Sequence, residues 1–198
     1  MSDGYVHRTS ADFRALLPEG KSGNEVNGLG DPVPRRPRPF FWHPPAEQAF
    51  GVLQQAVIAH HRQAPAIAAA YSREADRGPR PAAQAAEREA RTPEAWSAAV
   101  KAFALANDAE LVGITPTRPE YVFEGYDIPY PWLVVIGVEM EYDNLAAAPA
   151  TVEDPRAGWE VADKYNKAAR ACRKLANFVL AAGYGAKTYP GPMATALN

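Results

Sequence analysis

Between Asp154 and Gly183 the chain carries one uninterrupted helical pattern of about 28 residues, or roughly 42 Å at 1.5 Å per residue. Asp154-Pro155 opens it with an acid that can cap and a proline suited to the first turn. Gly183 closes it in the manner usual for helix ends. A helix of this length must bury a stripe along other elements. Trp159, Ala162, Tyr165, Ala169, Cys172, Ala176 and Val179 share one broad face. Lys164, Lys167, Arg170, Arg173 and Lys174 lie on the other side. A charged face of this kind is most often simply solvated, and phosphate binding is its sharper reading. No glycine-rich phosphate loop supports the sharper one, because "NGLGDP" is not followed by a helix.

Upstream, Thr92-Pro93-Glu94 is a helix start: a capping hydroxyl, a proline for the first position and an acid in the first turn. Trp96, Val100, Phe103 and Leu105 give that helix an apolar side, and Asn107-Asp108 ends it. "AELVGIT" reads as a strand. Residues 132–138 are β-branched and nearly continuous, which predicts a strand buried on both faces. Beyond Gly183, "AKTY" reads as a third strand. The order of helices, strand, strand, long helix and strand predicts an α+β layer whose sheet is barely begun.

The first part of the chain differs. Seven of the 19 prolines fall before Ala46, so residues 1–45 read as an extended Pro/Gly-rich arm. Its "FFWHPP" is apolar enough to dock on a body or a partner. Residues 46–91 read as a helical segment, with Phe50, Leu53, Val57 and then His60 or His61 at helical spacing. Pro65 splits it, the second helix runs on to Gly78, and "GPRPAAQAAEREAR" is a linker that becomes a helix. Residues 92–198 form the α+β segment.

Several function classes are excluded. A net charge of −2 with 47% hydrophobic residues lacks the basic excess that nucleic acid or anionic membrane demands. The longest apolar stretch, "WLVVIGV", is too short to span a bilayer. Arg35-Arg36 is followed by prolines instead of a hydrophobic segment, so no signal peptide is read there. A cytoplasmic location is expected. The single cysteine, Cys172, allows no intrachain disulfide, and its place on an apolar helix face favours packing over catalysis. Adjacent His60 and His61 have no metal-ligand spacing. Glu139, Glu141 and Asp143 would share one side if their strand persisted, as a cation site or as an end emerging into solvent; the second is preferred. No metal site and no catalytic residue is assigned.

The aromatic series Tyr121, Phe123, Tyr126, Tyr130 and Trp132 can wall a pocket for a flat ligand or cover a sheet edge. With its prolines, it leans towards a recognition surface.

From Ala109 onward three segments, "YPWLVVIGVEMEYD", "DKYNKAARACRKLANFVLAAGYGAKTYP" and "PMATALN", resemble the cobalamin-binding region of the reductive dehalogenase and epoxyqueuosine reductase superfamily. The first is similar to its Tyr-Pro-Trp and apolar strand, the second to its long helix closing on Gly-Tyr, and the third to the small-residue loop entering the cofactor pocket. The resemblance implies a nitroreductase-like fold with helices around an antiparallel sheet, and cobalamin held without a protein ligand on its lower face. It implies Tyr189, Gly191, Met193, Thr195 and Asn198 beside the corrin, with Tyr126, Tyr130 and Trp132 lining the substrate approach. Iron–sulfur clusters feed that cofactor in the family, and this chain has no cysteine run to hold them. Ala194 stands where epoxyqueuosine reductases carry an aspartate proton donor. Tyr165 and Tyr189 are available as acids, and neither is assigned that role.

The expectation is a partial nitroreductase-like sheet, the amino-terminal portion or small subunit of a cobalamin-dependent reductive dehalogenase-like oxidoreductase. An iron–sulfur protein or a missing carboxy-terminal region would be its partner, supplying the other wall of the pocket. The alternative is a non-catalytic interaction module that binds a partner chain through the arm and "FFWHPP". Flavin binding on the same type of fold is a weaker third reading.

Overall fold

The long helix organises everything else. In the computed structural model, which describes Arg36 and residues 65–71, 73–148 and 150–190, it follows three other α-helices among the described residues. These are α1 (Pro65–Ala70), α2 (Pro93–Leu105) and the short α3 (Tyr142–Leu145), with α4 at Arg156–Ala181. Two strands, β1 (Leu111–Pro116) and β2 (Trp132–Gly137), pair antiparallel, so the architecture is α+β. Short 3₁₀ turns lie at Glu74–Asp76 and Pro119–Tyr121. Expectations for the arm, for the helix from Ala46 through His60 and His61, and for Gly191, Met193, Ala194, Thr195 and Asn198 fall outside the described residues.

Small side chains let α4 be approached closely. Ala157, Ala162, Ala169, Ala171 and Ala176 are buried along it. A Cβ at Gly158 would meet Ile67 of α1 at 2.7 Å, so glycine is what lets α1 sit down there. The expected apolar face needs one correction: Trp159 is 44% exposed, and Leu175 and Leu180 carry the large apolar contacts instead. Two polar residues are buried with them. Glu160 accepts from the Glu141 amide at 2.8 Å and from Asn144 Nδ2 at 2.9 Å, tying α3 to α4. Asn166 Nδ2 donates to the Ala70 carbonyl at 2.6 Å and closes the end of α1.

Thr92 caps α2 as its sequence predicts, its Oγ1 accepting from the Ala95 amide at 3.2 Å. Val100, Ala104, Ala109 and Leu175 form the buried cluster between α2, α4 and the sheet, with Val112, Ile114 and Ile136 packed against it. Phe103 stacks on Phe178 with ring centroids 4.4 Å apart, and Trp96 meets Phe178 edge-on.

Four other expectations are overturned. β2 is not buried on both faces: Trp132, Val134 and Val135 are all exposed. An apolar run reports what a strand could bury, and here no described element covers its far side. "AKTY" forms no strand; residues 184–190 are irregular. The alanine-rich stretch 79–91 forms no helix, because it is held as an extended strap on the end of α4. The Ala85 and Glu89 amides donate to the Leu180 and Ala182 carbonyls, each at 2.9 Å. Gln84 Nε2 reaches the Gly183 carbonyl at 2.8 Å. These bonds satisfy carbonyls that a helix end leaves open, and tertiary pairing overrides alanine's helix preference. The second helix expected to reach Gly78 stops at Ala70, with only a 3₁₀ turn beyond it. No helix among the described residues is long and apolar enough to cross a membrane.

Candidate functional site

The loop between the strands is closed at its base and filled from an unexpected quarter. The Thr117 amide donates to the Pro131 carbonyl at 2.9 Å, and Thr117 Oγ1 donates to the Tyr130 carbonyl at 2.6 Å. At its tip the Tyr126 amide bonds the Phe123 carbonyl at 3.1 Å, and Gly125 has φ +85°, as the third position of a type II turn requires. Arg36 then donates from Nε to the Val122 carbonyl at 3.0 Å and from Nη2 to the carbonyls of Phe123 (2.7 Å) and Tyr126. One guanidinium therefore serves three loop carbonyls, those of Val122 and Tyr126 and, as a second donor, that of Phe123. No sequence cue announces it, since Arg36 lies 86 residues from Val122.

Beside this clamp runs an open groove of about 490 Å³. Its walls are largely proline and aliphatic, from Pro119, Val122, Ile128, Pro129 and Pro131, with Tyr130 among them. Arg118 and Asp127 bring one charge of each sign to it. Of the three residues expected on a substrate approach, Tyr130 alone lines the groove. Tyr126 contributes its carbonyl to the Arg36 clamp, and Trp132 begins β2 opposite Pro116. The tail passes close by, since a Cβ at Gly185 would lie 3.3 Å from Tyr130 Cε1. Tyr189, further along that tail, carries the Lys187 ammonium 5.3 Å from its ring centroid.

The cationic face of α4 is neither bare nor poised for phosphate. Arg170 grips Asp108 with two bonds, at 3.0 and 3.1 Å, and Lys174 reaches the same carboxylate at 2.7 Å. Arg173 makes a two-pronged pair with Glu74, which Arg80 also contacts. Lys167 pairs with Glu110, and Lys164 with Glu160 at 3.3 Å. Hydrogen bonds from Arg170 lead the causes that hold the Asp108 carboxyl down at about 2. Those from Arg173 and then Arg80 bring Glu74 down to about 2 as well. Asp108 does this from a left-handed backbone, φ +74°, which aspartate tolerates better than most residues. Of the five cations expected to face water or an anion, Lys167, Arg170, Arg173 and Lys174 instead fasten the Glu74 and Asp108–Glu110 segments to α4, and Lys164 pairs within the helix.

Neither other chemical candidate assembles a site. Burial pushes the Cys172 thiol up, away from the thiolate that a nucleophile needs. β2 ends at Gly137 and Asp143 lies in α3, so the three acids do not share a strand face. No group of three or more His, Cys, Asp or Glu among the described residues could hold a metal.

What remains conspicuous is the sheet. Alternation sends Val112, Ile114 and Ile136 towards the helices, and Leu111, Leu133 and Val135 to the opposite side. That outer side carries no charged residue in either strand. Leu111 is 72% and Val135 57% exposed on it. No family model matches the chain, and no curated protein and no solved structure matches it.

Proposed function

We propose that this chain works as one part of a larger assembly, its half-sheet completed by further polypeptide, and that the assembly is a cobalamin-dependent oxidoreductase of the reductive dehalogenase type. The observation that carries the first half is the bare outer side of the sheet. Antiparallel sheets ordinarily alternate apolar inside with polar outside. Apolar residues on both sides fit a sheet meant to be covered twice. The nitroreductase-like fold and the corrin come from the sequence resemblance of the strand, long helix and tail.

The described residues do not fit a corrin by themselves. Their groove of about 490 Å³ suits a drug-sized ligand, and cobalamin is bulkier than that class. Walls from elsewhere would have to complete the site, with Tyr189 and the tail on one side. When bound, the corrin would supply the reductive chemistry and the protein would position substrate. A partner holding iron–sulfur clusters would deliver electrons.

The test is direct. The full chain is mixed with hydroxocobalamin, alone and after co-expression with the polypeptide encoded directly downstream. Shifted visible bands, with corrin eluting alongside protein in the co-expressed sample, support the oxidoreductase. An unshifted spectrum and separate elution in both samples overturn it. The second reading, a non-catalytic interaction module, would then stand. It draws on the same bare sheet, together with an Arg36 clamp and ion pairs that hold the chain together.

A further inference from the structure

The sheet exposes an edge as well as a face, and the edge specifies its occupant more closely. The Thr117 amide bonds the Pro131 carbonyl, and the register pairs Thr115 with Leu133, Gly113 with Val135 and Leu111 with Gly137. In an antiparallel pair, directly opposed residues alternate between bonded and non-bonded. Val112, Ile114 and Pro116 of β1, and Trp132, Val134 and Ile136 of β2, therefore aim their backbone groups away from the partner strand. The two edges are unequal. Pro116 removes one donor from β1, a common device for blunting an edge. β2 keeps all three donors and three acceptors, and no described backbone bond outside the ladder and the helices uses them. Its six residues include no charge and no proline.

Charge then separates possible strands. Just past β2, Glu139 and Glu141 are exposed, and among the described residues neither has an ion pair. Two lysines on neighbouring α4 are already engaged: Lys167 holds Glu110, whose carboxylate accepts the Glu139 amide, and Lys164 holds Glu160, which accepts the Glu141 amide. A second copy added antiparallel about Val134 would bring Glu141 towards Asp127 of its mate, acid to acid. A strand with basic residues at its start would meet both glutamates instead.

We infer that the free edge of β2 is a strand-addition site for another polypeptide, one offering an uncharged extended segment preceded by lysine or arginine and running antiparallel to β2. The new strand takes the backbone groups of Trp132, Val134 and Ile136, and extends the apolar outer side of Leu133 and Val135. Main-chain bonds supply the affinity in this mode of recognition, and the flanking charges set direction and choice of partner. The inference rests on the reading that the half-sheet is completed from outside the described fold, and names where and by what.

The probe is a synthetic peptide of alternating threonine and valine with two lysines at its amino end, titrated into the full chain and followed by amide hydrogen exchange. At saturation, exchange at Trp132, Val134 and Ile136 is expected to slow at least tenfold, while Val135, already bonded to β1, stays unchanged. Replacing the two lysines with glutamates abolishes the effect. V134P removes one edge donor without touching a ladder bond and is expected to abolish it too. Should V134P fail to fold, the surface pair E139K and E141K reverses the charge preference in favour of the glutamate peptide. No slowing with the lysine peptide overturns the site, as does concentration-dependent protection of the same amides without peptide, the mark of a second copy. Slowed exchange in a chain that never binds cobalamin would sink the oxidoreductase and leave this site standing. Cobalamin binding without slowed exchange would do the reverse.

Discussion

The two long sides of this molecule handle their surface groups in opposite ways. Where α4 meets residues 74–91 and the Asp108 corner, two cations share each of the acids Glu74 and Asp108, and strap amides answer helix-end carbonyls. Where the sheet turns outward, Leu111, Val135 and the β2 edge answer to nothing described. One side is paired within the chain apart from Arg77 Nε and Nη2, and the other is prepared for something. Polar satisfaction therefore divides internal structure from prospective interface better than hydrophobicity does, since both sides contain ample apolar residues.

The contrast can be attacked first at Gly183. Its φ is +82°, and a Cβ there would lie 2.1 Å from the Glu87 carbonyl oxygen. Gly183→Val should cost on the order of 3 kcal/mol or more in urea unfolding, from backbone strain plus displacement of the strap. A loss within 0.5 kcal/mol would mean that the strap is not integral to the finished side. Next comes Asp108→Asn, which keeps a residue tolerant of the left-handed backbone and removes the charge together with one of the two acceptor oxygens. It should cost about 2 kcal/mol, the usual worth of hydrogen bonds to a charged group. Acid should mimic that change. Because the folded carboxyl titrates at about 2, below its ordinary value of 3.8, its contribution is fully present above pH 4. It fades as pH falls through the folded value, because the unfolded chain binds the proton first. Stability measured between pH 5 and pH 2 should drop in wild type and drop less in Asp108→Asn.

The smallest expected effect is the most informative about the other side. Val135→Thr keeps β-branching on an exposed position and should move the stability of the isolated chain by less than about 0.5 kcal/mol. A loss of about 2 kcal/mol would show that the outer side is already covered within the chain, collapsing the comparison. Between these extremes, Arg36→Ala tests the loop clamp. It should speed amide exchange around residues 122–126 and cost about 1–2 kcal/mol, since three carbonyls lose one donor group.

What the sequence disclosed follows the range of the interactions involved. The Thr92 cap, the Gly183 stop and the two strands rest on neighbours within a few residues, and these were legible. The arrangement of charges was not, because Arg173 and Glu74 are 99 residues apart and a list of lysines and arginines holds no trace of that pairing. Alanines in the 79–91 strap signalled a helix by propensity alone, while the deciding bonds came from Leu180 and Ala182. At the candidate site, proline and tyrosine density pointed to the inter-strand loop, but only Tyr130 of the three approach residues faces the groove. The role of Arg36 needed coordinates.

The strap has a consequence in time. During synthesis from the amino end, Glu74 emerges 99 residues before Arg173, an interval of roughly 5–20 s at cellular elongation rates of about 5–20 residues per second. Throughout that wait residues 74–91, rich in alanine and in charges of both signs, have no helix to receive them. Ribosome-associated chaperones would meet it there, so abundance in the cell should respond to codon choice across residues 92–173 even where the finished protein is unchanged.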